Sequence, residues 1–269
     1  MIRTRVPLAR AGCYRGAVRR PALSLLLLVL LVLLVLLGAA PLACLRAAEK
    51  AAPVPSAAPG TSAATTADPP GTYLGRTLAT PMSYRGADWL EREDREATER
   101  PEHVLDVLGL RDGWTVADVG AGSGYFTVRM ARRVAPHGRV LATDLQPEML
   151  ALLGDKLKAA KVTNVVPLLA TESDAKLPRG QLDLVLMVDV YHELPKPAET
   201  LAQIRAALRA DGRLALVEYR AEDPKVQIKE EHKMTLPQIQ KELGANGFVF
   251  KASDESLPEQ RIVTFGVAR

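Results

Sequence analysis

Three glycines in alternate positions follow a short apolar segment and precede a helical pattern. The apolar segment carries an acid, Asp118, near its end, and the helical pattern begins at Tyr125; the glycines between them are Gly120, Gly122 and Gly124. Because glycine lacks a Cβ, a ligand can approach its main chain, and the N–H groups at the start of the following helix point toward that ligand. These residues therefore predict a ligand-binding turn between a strand and a helix.

The spacing and charge of this turn indicate which ligand it binds. A dinucleotide site has the pattern G-x-G-x-x-G and holds a pyrophosphate, whereas this chain has G-x-G-x-G, and Asp118 would repel a pyrophosphate. The Asp118 carboxylate suits an ammonium group. Asp144 ends the next apolar segment and is a bidentate acceptor for two ribose hydroxyls. S-adenosylmethionine (SAM), which has an amino acid at one end and a nucleoside at the other, fits both acids.

At these residues the chain resembles the class I SAM-dependent methyltransferases. The resemblance extends from about residue 101 to residue 269 and rests on four segments in the family's order, namely residues 118–124, 144–150, 182–189 and 208–214. The chain is most similar to the ubiquinone/menaquinone-biosynthesis type, and residues 84–90 and 190–193 resemble an exported bacterial branch of small-molecule methyltransferases. The resemblance implies SAM as the cofactor and methyl transfer to a small molecule as the activity.

Apolar segments alternate with helical patterns along the same region. Strands are predicted at residues 116–119, 140–143, 165–169, 182–188, 214–219, 248–253 and 261–267. Helices are predicted at residues 101–110, 125–134, 147–160, 198–209 and 236–243. Alternation of this kind implies parallel pairing, and the short loop between the last two strands predicts a hairpin. The expected fold class is α/β, a doubly wound, mostly parallel seven-stranded sheet with an antiparallel C-terminal hairpin strand, as in the Rossmann-like class I methyltransferases.

The cofactor-binding residues are expected just after each strand, because ligands of an open α/β sheet lie outside the carboxyl ends of its strands. After the first two strands these residues are Asp118, Gly120, Ala121, Gly122, Gly124, Tyr125, Asp144 and Leu145. After the third strand, the family resemblance implies an acid or amide that accepts from the adenine amino group. Asp174 is favoured there, with Glu172 and Ser173 as alternatives, because the acid lies one residue closer to Leu177 than in the common pattern. Asp189 follows the fourth strand.

The chemistry is expected after the fourth and fifth strands. Methyl transfer first requires alignment, and a general base is needed where the nucleophile carries a proton, for which histidine has a suitable pKa. His192 is the first candidate for a catalytic residue, and Asp189 in the same loop is a further catalytic candidate; alternatively His192 holds a loop or the cofactor in place. Glu218 and His232 are second candidates. Two histidines with nearby carboxylates can bind a metal, but the sequence shows no close ligand spacing, so no metal is expected.

The basic charge of the chain is confined to its first 50 residues. They hold eight Lys or Arg and one acid, which leaves 27 basic and 30 acidic residues in the remainder. Because a nucleic-acid-binding domain has a basic face, no nucleic-acid partner is expected. Both cysteines, Cys13 and Cys44, precede the domain, so the domain has no thiolate ligand or cysteine nucleophile.

The N-terminal region has the composition of an export signal. Six arginines without an acid precede an uncharged stretch that is rich in Leu and Val between residues 23 and 37, as in a secretory signal. Residues 1–46 are expected to be a cleaved signal or an uncleaved membrane anchor, with lipidation at Cys44 as an alternative. The expected location is periplasmic or tethered to the inner membrane of a bacterium, and cytoplasmic if Met82 is the true start.

Two further segments are expected before the domain of residues 101–269. Residues 47–72, rich in Ala, Pro and Thr, are expected to be a disordered linker. Residues 73–100 are expected to be a helical lid, with a helix at 88–98. In that lid the aromatic residues Tyr73, Tyr84 and Trp89 either cover the cofactor cleft or pack the helix onto the domain.

Two other functions remain open at this stage. A non-catalytic module that binds SAM or another nucleoside is suggested by the expected export, because SAM is made in the cytoplasm. An NAD-dependent oxidoreductase is disfavoured by the glycine spacing and by the terminal hairpin. The sequence identifies neither the acceptor and the methylated atom nor the oligomeric state.

Overall fold

The computed structural model describes residues 68–268, and its main feature is one large β-sheet. The predicted signal or anchor and nearly all of the predicted linker lie outside the described residues. The sheet's main strands are β1 (Thr115–Val119), β2 (Arg139–Asp144), β3 (Val165–Leu169), β4 (Leu182–Val188), β5 (Leu208–Arg220), β6 (Phe248–Asp254) and β7 (Gln260–Val267). The central strands β1 and β4 are mostly apolar, as expected for strands that are buried on both faces.

The strand order is β3-β2-β1-β4-β5-β7-β6. The first five strands pair in parallel, whereas β7 lies antiparallel between β5 and β6. The predicted fold class, with its antiparallel C-terminal strand pair, is confirmed. One short strand was not predicted: Lys233–Met234 pairs in parallel with the end of β5.

Helices cover both faces of the sheet. They are α1 (Pro101–Leu108), α2 (Tyr125–Val134), α3 (Pro147–Ala160), α4 (Pro197–Ala207) and α5 (Leu236–Ala245). In β4, Leu184 and Leu186 join the apolar cluster that contains α1 and α2, whereas Val185 and Met187 join the cluster that contains α4 and α5. This alternation follows from the two-residue period of a strand, and it makes the domain a three-layer sandwich.

Several predicted boundaries differ from the structure by one to six residues, and two of the differences have clear local reasons. Helix α1 ends at Leu108 rather than at residue 110, because Gly109 adopts the left-handed conformation, with φ 60°, which ends many helices. Strand β5 begins at Leu208 rather than at residue 214. Leu208 is buried and pairs with Leu182, so the strand starts directly after α4.

The segment before the domain is less helical than predicted. It contains a hairpin of two-residue strands, Thr72–Tyr73 and Arg76–Thr77, a 3₁₀ helix at Tyr84–Glu91, and a single α-helical turn at Arg95–Thr98. The continuous helix expected at residues 88–98 is absent from this part of the structure, because Arg92 has an extended backbone with ψ 144°.

The hairpin is fixed to α5 by a buried ion pair. The Arg76 guanidinium donates to both carboxylate oxygens of Glu242, at 2.8 and 3.0 Å, and Glu242 also accepts from the Tyr191 hydroxyl at 2.7 Å. These contacts tie the N-terminal segment to the domain near the loop after β4. Within residues 68–268 no helix combines the length and apolar character that a bilayer crossing requires.

Candidate functional site

A cavity of about 430 Å³ opens at the carboxyl ends of β1, β2 and β4. This volume lies in the range of small-molecule sites. One end is formed by the glycine turn after β1 and the acid at the end of β2, and the other by His192 and His232. The two regions that the sequence assigned to cofactor and to chemistry therefore share one cavity.

The glycine turn requires residues without a side chain. Gly120 and Gly122 have φ of +73° and +54°, and a Cβ on Gly120 would lie 2.5 Å from Cγ2 of Val190. The N–H groups of Gly120 and Ala121 donate to the carbonyl oxygen of Thr143, at 2.8 and 2.9 Å. The turn is thus tied to the end of β2, and its main chain borders the cavity.

Asp144 fixes the other side of this turn. Its carboxylate accepts from the N–H of Gly122 and from the N–H of Gln146, each at 2.9 Å. Burial raises the pKa of Asp144, although these main-chain hydrogen bonds oppose the rise. The hydroxyl of Thr143, which also lines the cavity, is buried and has no hydrogen-bond partner among the described residues.

Asp118, predicted to take an ammonium group, does not line the cavity. Its carboxylate is 3% exposed and accepts from the Thr127 hydroxyl at 2.6 Å. Because side chains alternate along a strand, Asp118 lies on the same face of β1 as Val116, which α2 covers. Burial raises the pKa of Asp118 to about 6, although the hydrogen bond from Thr127 lowers it.

The other residues predicted after β1 and β2 divide between cavity and packing. Leu145 lines the cavity together with Gly120, Gly122 and Asp144. Gly124 instead lets α2 approach α3, since a Cβ there would overlap with Cδ1 of Leu153. Tyr125 is buried, and its hydroxyl donates to Glu96 at 2.9 Å. Ala121, Gly124 and Tyr125 are not part of the cavity lining.

After β3 the structure brings Glu172, and not the favoured Asp174, to the cavity. Asp174 is on the surface, where its ion pair with Lys176 at 2.5 Å lowers the pKa of its carboxyl. Ser173 contributes its carbonyl oxygen as an acceptor for the Gln203 side chain. The tight turn between Thr171 and Asp174 turns these neighbouring residues in different directions, which a sequence pattern does not reveal.

Asp189 lines the cavity directly after β4. Its backbone is in the left-handed region, with φ 54°, and both carboxylate oxygens accept from the Gln260 side-chain amide, at 2.9 and 2.7 Å. Burial raises the pKa of Asp189 well above its usual value, and the negative charges of Glu99 and Glu218 raise it further. A cationic ligand group would favour the ionised form of this carboxyl.

His192 is held by a buried carboxylate from the neighbouring strand. Its Nδ1 lies 2.6 Å from Oε2 of Glu218 on β5, and Oε1 of Glu218 accepts from the Tyr191 N–H at 3.0 Å. Burial lowers the pKa of His192, but the charge and hydrogen bond of Glu218 outweigh it, so the net shift is upward. Glu218 is fully buried and lies outside the cavity lining, so it acts through His192.

Glu193 and His232 form, together with His192, a cluster that the sequence did not predict. His192 Nε2 lies 3.0 Å from His232 Nδ1, and Oε1 of Glu193 lies 3.8 Å from the first nitrogen and 3.5 Å from the second. Burial and the proximity of His192 lower the pKa of His232. The sequence held only an indirect sign of this cluster. The two histidines are 40 residues apart in the chain, although they follow two strands that are neighbours in the sheet.

The N-terminal segment covers the cavity with apolar side chains. Pro81, Met82, Trp89 and Leu90 are part of the lining. Cδ1 of Leu90 lies 2.8 Å from the position a Cβ would take on Gly122. Of the three aromatic residues weighed as a lid, Trp89 alone lines the cavity.

The comparisons with known proteins identify the domain. Residues 117–214 match the family model described as a methyltransferase domain. An uncharacterised methyltransferase of Mycobacterium tuberculosis is 34% identical over 124 residues, which cover 46% of this chain and 47% of that protein. A ubiquinone/menaquinone biosynthesis C-methyltransferase of Marinomonas is 26% identical over 118 residues, 44% of this chain and 47% of that protein. The chain spans about half the length of the curated relatives it matches.

Solved structures agree on the fold. The crystal structure of a SAM-dependent methyltransferase from Aquifex aeolicus superposes with a TM-score of 0.66 at 24% identity, covering 70% of this chain and all of that one. Residues 117–214 therefore belong to a methyltransferase domain, and its fold is that of the SAM-dependent methyltransferases. The predicted family, fold class and cofactor are confirmed at the level of this domain, whereas membership of the exported branch stays a prediction.

The raised pKa of Asp118 predicts a pH-dependent change in stability. The folded chain holds this proton more tightly than the unfolded chain, so stability falls as pH rises from 3.8 through about 6, by at most about 3 kcal/mol. Asp118→Asn removes this loss. The free energy of unfolding of the variant minus that of the unchanged chain should therefore increase as the pH rises over that range. Urea unfolding at several pH values measures the difference. If this difference depends on pH as little as the difference for the surface variant Asp155→Asn, the placement of Asp118 is contradicted.

Proposed function

We propose that this protein transfers a methyl group from SAM to a small-molecule acceptor. The observation that carries the proposal is the single cavity that joins the glycine turn and Asp144 to His192. A methyltransferase must hold its cofactor and its acceptor in one water-poor space, because alignment is the main requirement of the displacement. The matched family and the relatives' names support the same activity.

The cavity residues fit SAM group by group. The bare main chain at Gly120 and Gly122 accommodates close approach of a ligand. We assign the ribose hydroxyls to Asp144, because each carboxylate oxygen retains an accepting position beyond its main-chain hydrogen bond. Glu172, which lines the cavity, is assigned the role predicted for the acceptor of the adenine amino group.

The ammonium group of the ligand is assigned to Asp189. This carboxylate lines the cavity and follows the strand next to the glycine turn, whereas Asp118 is enclosed under α2. A positive charge beside Asp189 would compensate for the burial of its carboxylate. Bound SAM would supply an electrophilic methyl group on a sulfonium.

His192 is the group suited to activating the acceptor. Donation from Nδ1 to Glu218 leaves Nε2 as the proton-accepting nitrogen, and Glu218 would stabilise the imidazolium once a proton has been taken. Glu218 is therefore a positioning residue, and the contact with His232 limits where the acceptor can approach.

The acceptor class follows from the size and character of the space. The cavity of about 430 Å³ has to hold both the cofactor and the reacting part of the acceptor, which favours a small acceptor. Met82, Trp89 and Leu90 make one wall apolar, so we expect an acceptor with an apolar portion. The name of the Marinomonas relative is compatible with such an acceptor.

Calorimetry with SAM tests cofactor binding by the full chain, purified in mild detergent. Asp144→Ala removes charged hydrogen-bond acceptors worth roughly 1.5–3 kcal/mol, so affinity should fall by about 10- to 100-fold. Gly122→Val should abolish binding, because its Cβ meets Leu90 at 2.8 Å and φ is +54°. The matched controls are Asp155→Ala and Gly154→Val, since a Cβ on Gly154 meets no atom within 4 Å. Tighter binding of NAD than of SAM would contradict the cofactor assignment.

Methyl release separates an enzyme from a module that only binds nucleosides. We expect the unchanged chain to form S-adenosylhomocysteine faster when a small apolar acceptor is present, and His192→Ala to lose about 10²- to 10⁴-fold in rate while it still binds SAM. The measurement is a coupled assay across a panel of phenols, quinols and amines. If the full panel gives only the rate seen without an acceptor while SAM binds normally, the non-catalytic alternative replaces the enzyme.

We also propose that the protein is exported and either periplasmic or tethered to the inner membrane. The support is the arginine-rich and then apolar composition of residues 1–46. A phosphatase reporter that is active only outside the cytoplasm, fused after Gly71, should be active in a bacterial host. The same fusion without residues 1–46 is the control and should be inactive. Equal inactivity of both fusions, with both proteins present, would contradict export.

A further inference from the structure

We propose that His192, His232 and Glu193 form a binding site for a divalent first-row transition-metal ion of the Zn²⁺ type. The three side chains lie at the acceptor end of the cavity, and each offers one ligand atom. Two imidazoles and one carboxylate are a ligand set that zinc and related ions use in proteins, with further positions left open. The metal site does not rest on the proposed methyl transfer, but a bound ion would occupy the Nε2 of His192 that the proposed proton transfer uses, so the two are alternatives at that nitrogen.

The geometry accommodates an ion without movement of the ligands. The three separations between His192 Nε2, His232 Nδ1 and Glu193 Oε1 are 3.0, 3.5 and 3.8 Å. They define a common point about 2.0 Å from each atom, and zinc–nitrogen and zinc–oxygen bonds measure about 2.0–2.2 Å. The 3.0 Å contact alone also suits a hydrogen bond between the rings. The convergence of the carboxylate on the same point favours a metal.

Glu218 prepares His192 to be a ligand. Metal-binding histidines usually donate their second ring N–H to a carboxylate, which fixes the tautomer and orients the ring. Glu218 Oε2 lies 2.6 Å from Nδ1 of His192, and its other oxygen is fixed by the Tyr191 N–H. The unprotonated Nε2 is thereby directed to the side where His232 and Glu193 lie.

The charges of the cluster also favour a cation. Glu218 is fully buried, and the Glu193 side chain is 16% exposed. Within residues 68–268, neither carboxylate forms an ion pair with a lysine or arginine. The basic groups within ion-pair distance of them are histidines alone. A buried and a partly buried carboxylate without a permanent cation are costly, and one dication would balance both charges. Lys229, which also lines this region, is not paired with either of them.

The test is metal titration of the full chain, prepared without a polyhistidine tag and freed of metal with a chelator. Calorimetry with Zn²⁺ and visible absorption with Co²⁺ should give one site per chain and ligand-field bands. Glu218→Gln should weaken Zn²⁺ binding by about 10- to 100-fold, and His232→Ala, His192→Ala and Glu193→Gln by at least as much. The matched controls are His103→Ala and His137→Ala, the other two histidines of the chain.

Circular dichroism and SAM calorimetry on the same samples show whether a variant has folded. Retained folding with lost metal binding in His232→Ala supports the site. The proposal is overturned if the metal-free chain takes up neither Zn²⁺ nor Co²⁺, since sites of this type bind these ions more tightly than Mn²⁺, and Zn²⁺ more tightly than Fe²⁺. It is equally overturned if His103→Ala weakens binding as much as His232→Ala. Loss of SAM binding with intact Zn²⁺ uptake would contradict the proposed function alone.

Discussion

Parallel pairing of β1, β2, β4 and β5 brings the carboxyl ends of these strands to one edge of the sheet, and the site depends on this constraint. An acid lies within two residues of the end of each of these strands, and each acid is largely buried. Burial of a carboxylate is costly unless hydrogen bonds or opposite charges compensate for it. The structure meets that cost with a different partner in each case: Thr127 for Asp118, main-chain N–H groups for Asp144, Gln260 for Asp189 and His192 for Glu218.

These partners divide the acids into two classes. Asp118 and Glu218 are enclosed by the domain and contact other side chains. Asp118 accepts a hydrogen bond from Thr127 of α2, and Glu218 holds His192. Asp144 and Asp189 border the cavity and can contact a ligand. The difference arises from the direction of each side chain relative to the sheet. It separates residues that shape the site from residues that meet its occupant.

The N-terminal segment completes the cavity from outside the sheet. Arg76 fixes the hairpin to Glu242, and the Met82 N–H donates to Glu193 at 3.3 Å. Leu90 packs against Gly122, so the same segment contacts both the cofactor turn and the histidine cluster. Through these contacts the N-terminal segment packs as part of the domain that follows it.

The sequence by itself determined the fold and the location of the site. Glycine spacing and apolar periodicity are local properties, so α2, α3, β3 and β4 have the bounds that the sequence predicted, and the antiparallel last strand was foreseen. Local patterns also predicted that the loop after β4 contributes to the site, and residues of that loop line the cavity.

Only the tertiary structure decided which side chains face the cavity. It enclosed Asp118 under α2, chose Glu172 over Asp174, and joined His192 to His232 and Glu193. The physical reason is that a sequence pattern fixes where a strand ends, whereas the direction of a side chain in the following loop depends on helices and loops distant in the chain that pack against it.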